Sequence, residues 1–242
     1  MSQQLSLPVG LRDSACFENY HAQQPEARDC IVAAIRKRTN REATGANESF
    51  AVPAYSVIYL WGSAGTGKTH LLHAGCRLAA GLGQVSVYLC LADRTLTVDA
   101  LEDIERSDLV CLDDVQAVSK DCAWEQRLFA MLEQVRQYCG VVLVTANGPP
   151  GEVGFIMPEL SSRLASGPVF RLPELDDQAK LAALRLHANH RGFELPEQVA
   201  RYVLRRYPRD TTSIFDLLDR VDRASLNAQR RITIPFIRGI DL

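Results

Sequence analysis

The run Val57-Ile58-Tyr59-Leu60-Trp61 passes directly into Gly62-Ser63-Ala64-Gly65-Thr66-Gly67-Lys68-Thr69, with His70 next. Glycines at these places let the backbone turn so that successive N–H groups point inward. A helix starting near the lysine adds the N–H groups of its own first turn, and the result is a cradle for an anion. The spacing is G-x-x-x-x-G-K-T between a strand and a helix, and the anion it suits is a polyphosphate. Lys68 then reaches the outer phosphates and Thr69 offers a hydroxyl to Mg²⁺. We therefore expect nucleotide to be held by Gly62, Ser63, Ala64, Gly65, Thr66, Gly67, Lys68, Thr69 and His70.

A second acidic element, "DLVCLDDVQ", is an apolar run that ends on Asp113 and Asp114. A carboxylate at the tip of a strand beside such a loop holds Mg²⁺, directly or through water. Asp113 takes that metal role with Thr69, and Asp114 is placed to polarise an attacking water. A third run ends "VTAN", which puts Asn147 beside the outer phosphate to orient water or sense it, or simply turns the chain before Gly148 and Pro149. The loop reads phosphates only, so the base is open. Phe17 and Tyr20, ahead of the first helix, either flank it or belong to the core.

These residues need a scaffold. The runs "YSVIYLW", "VSVYLCL", "DLVCLDDV", "GVVLVTA" and "PVFRL" are short, valine-rich and nearly continuous, and they alternate with helical segments. That pattern suits strands of a parallel sheet buried on both faces, with helices on both sides. Before them, residues 1–24 read as an irregular leader, and from Pro25 a helix puts Ala27, Cys30, Ile31, Ala34 and Ile35 on one face. The stretch "RTNREATGANES" reads as a loop by composition. After Pro173 only helical spacing remains, with Gly192 at a helix end, Pro196 at a helix start and Pro235 opening a short last helix. The expected division is 1–24 leader, 25–173 α/β nucleotide-binding domain and 174–242 helical lid.

Length allows one core with an appendage, and the composition is that of an ordinary globular protein. A formal net charge of −2 supplies no global basic field, so strong direct DNA binding is not expected. There is no apolar run of membrane-spanning length and no signal-peptide pattern, from which we expect a cytoplasmic protein without a membrane partner. The seven cysteines lack metal-ligand spacing and read as small, mostly buried side chains.

"WGSAGTGKTHLLHA", "LDDVQ", "VTANGPP" and "LSSRLASG" together resemble the AAA+ core of DnaA, the bacterial replication initiator. "HRGFELPEQVARYVLRR" and "DRASLNAQRRITIPFIR" resemble a regulatory branch of that family, which inactivates DnaA. The resemblance implies an AAA+ P-loop NTPase fold: a five-stranded parallel sheet with helices on both faces, then a small all-α lid. On this resemblance we expect the sequence to close with the lid, without the DNA-binding helices of DnaA.

The same branch carries an N-terminal peptide that docks on the DNA polymerase sliding clamp. "QLSLP" is similar to it, with Gln4, Leu5, Leu7 and Pro8 as anchors; five residues alone would read as a plain terminus. Arg163 matches the family's arginine finger, which acts in trans on a neighbour's nucleotide, here the ATP of DnaA. A local pair with Glu159, four residues earlier on a helix, is the other reading. The resemblance also implies a bound ADP or other nucleoside diphosphate, with ATP as an alternative. Thr212 stands where the family usually has a lid arginine, and Arg209 lies three residues earlier; slow intrinsic hydrolysis is expected. A helicase-loader-like ATPase acting on the replicative helicase is the alternative function, and self-association into a homo-oligomer is left open.

Overall fold

The computed structural model of the chain describes residues 15–21, 25–43, 57–206, 218, 220–221 and 232–240. Five parallel strands form one sheet: β1 (Val57–Trp61), β2 (Ser86–Cys90), β3 (Leu109–Asp113), β4 (Val141–Ala146) and β5 (Val169–Arg171). Their spatial order is β2-β3-β4-β1-β5. The five apolar runs are therefore the five strands. The central three are buried on both faces, as continuous apolar runs require. The edges depart from that expectation, because β2 is mostly half-buried and β5 presents Val169 and Arg171 to solvent.

Successive strand residues point to opposite faces, so each strand feeds two cores. On one face Tyr59, Leu112 and Val144 meet Leu128, Met131 and Val135 of α3 (Cys122–Gln137), with Leu160 and Leu164 of α4 (Pro158–Leu164). On the other, Ile58, Leu60, Cys111 and Leu143 meet Ile31 and Ile35 of α1 (Pro25–Ala43), with Leu71, Leu72 and Cys76 of α2 (Lys68–Gly81). A separate cluster joins Leu184 and Ala188 of α5 (Asp177–His190) to Val199 and Val203 of α6 (Glu197–Arg206) and to Ile237 of the terminal helix Ile234–Ile240. This is the helical lid. Gly192, at φ +85°, closes α5 with the 6→1 bond from Phe193 N–H to Ala188 O.

Three local expectations are corrected. The backbone of α1 runs on to Ala43, through six residues expected to be loop; arginine, glutamate and alanine there are good helix formers, and Thr39 and Asn40 only weak breakers. Residues 15–21 are not irregular: Phe17–Asn19 form a 3-10 turn, and Ala15, Cys16 and Asn19 are buried. Only Cys16, Cys76 and Cys111 are buried among the cysteines, while Cys122 and Cys139 are exposed beyond the two ends of the core face of α3.

The connection from β1 leads to one side of the sheet and that from β4 to the other, so the order reverses between these two neighbours. Open parallel sheets bind ligands at the carboxyl ends of their strands at such a reversal. Gly62 and Asn147 follow β1 and β4 there.

The approach to α4 depends on one buried acid. Glu125 of α3 is 1% exposed. Its Oε1 accepts the N–H groups of Lys120 (2.8 Å) and Ile156 (3.0 Å), and Oε2 accepts Met157 N–H (2.8 Å). Met157 is the N-cap of α4 and has no side-chain cap of its own, so the carboxylate from α3 does that work. Glu125→Gln keeps the shape and loses one acceptor oxygen. It should lower stability by about 1–3 kcal/mol, read from the midpoint of urea unfolding; an unchanged midpoint would refute this role.

Candidate functional site

The loop after β1 has the backbone its glycines predict. Gly65 and Gly67 lie at φ +79° and +91°. A Cβ on Gly67 would also sit 2.8 Å from the ring of Tyr20, and one on Gly62 would sit 2.5 Å from Leu172 O. Glycine is thus required at 67 both by conformation and by a neighbour. Ser63 and Ala64 face solvent, Thr66 Oγ1 donates to Ser63 O at 3.0 Å, and α2 begins at Lys68. The Lys68 ammonium is buried and donates to Gly62 O (2.7 Å) and Ser63 O (2.8 Å). Burial lowers its pKa, against the pull of Asp114 and Asp113 in the other direction.

Asp113, 2% exposed at the end of β3, gathers three hydroxyls. Thr69 of α2 donates to Oδ2 at 2.7 Å, Tyr88 of β2 donates to Oδ2 at 2.8 Å, and Thr145 of β4 donates to Oδ1. Burial, and then the Asp113 charge, push the Tyr88 hydroxyl pKa upward, so it stays a donor. Thr145 Oγ1 also accepts the N–H of Asp114 at 2.9 Å, and Asp114 itself sits in the left-handed region at φ 58°. Gln116 Nε2 donates to Asp114 Oδ1 at 2.9 Å. The structure therefore brings Thr69, Asp113 and Asp114 to the mouth of the loop. It adds Thr145 and Tyr88, which no motif had marked. Asn147 is exposed just past the end of β4.

Beside the loop lies a pocket lined by Tyr20, His21, Gly65, His70, Ala183 and His187, among others. The ring of His70 sits 5.6 Å from that of Tyr20 and 5.4 Å, edge-on, from that of His187 in α5. His70 Nε2 lies 2.9 Å from Cys16 O, and Cys16 Sγ lies 3.2 Å from His190 Nε2. The 15–21 segment, the phosphate loop and the lid thus converge. Tyr20 belongs to this wall. Phe17 does not, although both rings pack against the apolar cluster under α1 and α2.

Arg163 is engaged elsewhere. Its guanidinium forms an ion pair with Glu133 of α3 across the α3–α4 packing, not the local pair with Glu159, whose side chain is exposed. Gln4, Leu5, Leu7, Pro8, Arg209 and Thr212 lie outside the described residues. No helix among the described residues is long and apolar enough to cross a membrane.

Residues 32–171 match the family model of the bacterial DnaA ATPase domain, and residues 177–240 match that of the Hda lid domain. The fold is similar to domain III of the Thermotoga maritima replication initiation protein DnaA (TM-score 0.70, 16% identity, 94% of this chain and 95% of that one). It is also similar to AMPPCP-bound DnaA from Aquifex aeolicus (TM-score 0.65, 20% identity, 87% and 65%). A third similar structure is the Thermotoga maritima RuvB Holliday junction branch migration motor (TM-score 0.60, 18% identity, 90% and 68%). At these identities the structures speak to the fold.

Two measurements test the site. Lys68→Ala should shrink the rise in melting temperature produced by ADP with Mg²⁺, since binding to the folded state adds stability by mass action; an undiminished rise would put the phosphates elsewhere. The second concerns the lid contact. Burial, then His70, Arg191 and His190, hold the His187 pKa down at about 3. Above the unfolded value of about 6.5 both states are neutral there. As pH falls below it, the unfolded chain takes up a proton that the folded chain refuses, so stability should drop by about 1.4 kcal/mol per pH unit from this group. His187→Gln should flatten the loss between pH 6.5 and 5, measured by urea unfolding against the parent; parallel curves would refute it.

Proposed function

The chain belongs to the family of bacterial DnaA ATPase domains, and from that membership we propose that it is a regulator of replication initiation that acts on DnaA. It binds a nucleoside diphosphate, docks on the DNA polymerase sliding clamp through Gln4, Leu5, Leu7 and Pro8, and presents Arg163 to ATP held by DnaA. Hydrolysis there leaves DnaA in its ADP form. The observation that carries this reading is a DnaA-type core followed by an Hda-type lid, with Arg163 of the core engaged on the α3–α4 side rather than at its own loop.

The residues present fit a nucleotide with its metal: a buried ammonium within a glycine turn, and a threonine hydroxyl 2.7 Å from a strand-end carboxylate. Gly62 to Thr69 would hold the phosphates, Thr69 and Asp113 the Mg²⁺, and Tyr20 the base side. Mg²⁺ there would neutralise charge on the phosphate oxygens. Asp114 polarises water and Asn147 orients it, while His70 closes the inner wall. With Thr212 at the lid position, turnover by the chain alone is slow. Its main action is in trans. The division into leader, core at 25–173 and lid at 174–242 assigns clamp, nucleotide and grip to separate segments.

A planar cation is what such a reaction needs. Phosphoryl transfer spreads charge over the equatorial oxygens, and an arginine supplied by a neighbour is worth about 10³–10⁵ in rate. ATP hydrolysis by DnaA in the presence of DNA-loaded clamp is the test. Arg163→Ala should lose nearly all stimulation, with ADP binding and clamp binding intact, and Arg163→Lys should rescue poorly because it lacks the fork. Leu5→Ala with Leu7→Ala should lose clamp binding and keep ADP affinity. Stimulation undiminished in Arg163→Ala would sink the reading. Fast hydrolysis by the chain alone would favour a loader acting on the replicative helicase.

A further inference from the structure

We propose that Glu133 is a positioning residue for Arg163: it latches the guanidinium in the free chain and releases it on docking, because Arg136 stands ready to take the carboxylate. The inference rests on the trans reading of Arg163. Glu133 lies on α3 between two cations. Arg163 of α4 pairs with its Oε1, and Arg136, one helical turn along α3, has Nη2 3.9 Å from its Oε2. The two cations differ in exposure. Arg163 and Glu133 are 25% and 28% exposed, whereas Arg136 is 60% exposed and free to swing.

The latch is incomplete. The contact uses one terminal nitrogen of Arg163, not the paired fork that makes arginine–carboxylate pairs strong. Among the described residues, the buried Nε of Arg163 has no hydrogen-bond partner. A buried donor left unmet carries a desolvation cost, and moving onto a phosphate removes it. Departure of Arg163 would normally strand Glu133, which is the reason broken pairs are costly. Here Arg136 is already at the far oxygen and can close the gap, so the exchange keeps the carboxylate compensated throughout. The α4 backbone need not move, since Glu125 fixes its start through Ile156 and Met157.

A latch lowers the fraction of molecules ready to act, and apparent affinity falls by that fraction. The readout is therefore the half-saturating concentration of this chain in the DnaA hydrolysis assay, not its maximal rate. Glu133→Gln should lower that concentration about two- to fivefold, the span of a part-exposed ion pair, and leave the maximum alone. Arg136→Ala removes the second cation and should raise it. A purely structural pair predicts a lower melting temperature and no gain in either variant. An unchanged or raised half-saturation in Glu133→Gln would overturn the latch. If that variant fails to fold, the exposed Arg136→Ala decides, and an unchanged or lowered value overturns it.

The side-chain Nε–H resonance of Arg163, identified by its loss in Arg163→Lys, separates the two claims. It should shift in the free protein on Glu133→Gln. An unshifted resonance overturns the latch whatever the assay shows. A shifted one, with stimulation indifferent to Arg163→Ala, overturns the trans reading instead.

Discussion

A carboxylate buried at the end of a central strand must find donors, and the ones Asp113 finds tie the site together. Thr69 comes from the helix after the phosphate loop, Tyr88 from the neighbouring strand on one side and Thr145 from the neighbouring strand on the other. Left unmet, such a charge would cost several kcal/mol, about the whole margin of stability of a domain. Satisfied this way, it fixes how far α2 begins from β3 and sets β2, β3 and β4 level at their carboxyl ends. Asp114 follows from the same knot, since its N–H ends on Thr145 and its backbone takes a left-handed turn to point the next carboxylate outward. Asp113 and Asp114, the residues proposed for metal and water, are therefore positioned by one polar cluster, not by two independent loops.

The second wall of the site is built by association of segments distant in the chain. His70 is the hinge of this arrangement: it faces Tyr20 from the 15–21 segment, His187 from the lid and the carbonyl of Cys16. A nucleotide entering the loop would meet all three segments at once. Among the described residues the lid reaches this wall through His187, whose ring meets His70 edge-on. On the opposite side of the domain, α3 carries both Glu125, which caps α4, and Glu133, which engages the arginine at its end. One helix thus sets where α4 starts and what its last turn presents.

Much of this was legible in the residues alone. Five valine-rich runs became five parallel strands, because burial on both faces leaves a one-dimensional mark. The glycine turn, Lys68, Thr69 and the acidic pair stood out because phosphate and metal chemistry demand fixed spacing along the chain. What stayed hidden was every partner supplied across the fold. Thr145 is one threonine in an apolar strand, and nothing local says that its hydroxyl meets Asp113. Glu125 and Glu133 look like surface acids of an amphipathic helix until α4 is laid over them. The i,i+4 rule pointed Arg163 to Glu159, yet tertiary packing turned it to α3, where it pairs with a part-exposed Glu133. Phe17 and Tyr20 were equivalent as sequence; both pack on the same apolar cluster, and only the folded chain shows that Tyr20 also lines the pocket. Cysteine burial was overread for a related reason, since Cys122 and Cys139 flank a helix whose ends are open.

The buried anchor at Ala15 and Cys16 sets a leash. Leu7 stands eight chain steps before Ala15, and a fully extended chain covers at most about 3.6 Å per step, so Leu7 lies no more than roughly 29 Å from Ala15. Anything that grips that leucine is therefore a neighbour of the nucleotide site by arithmetic alone. A protein held at that leucine would meet the nucleotide site at an effective concentration set by the span of chain between them, with no new contact needed.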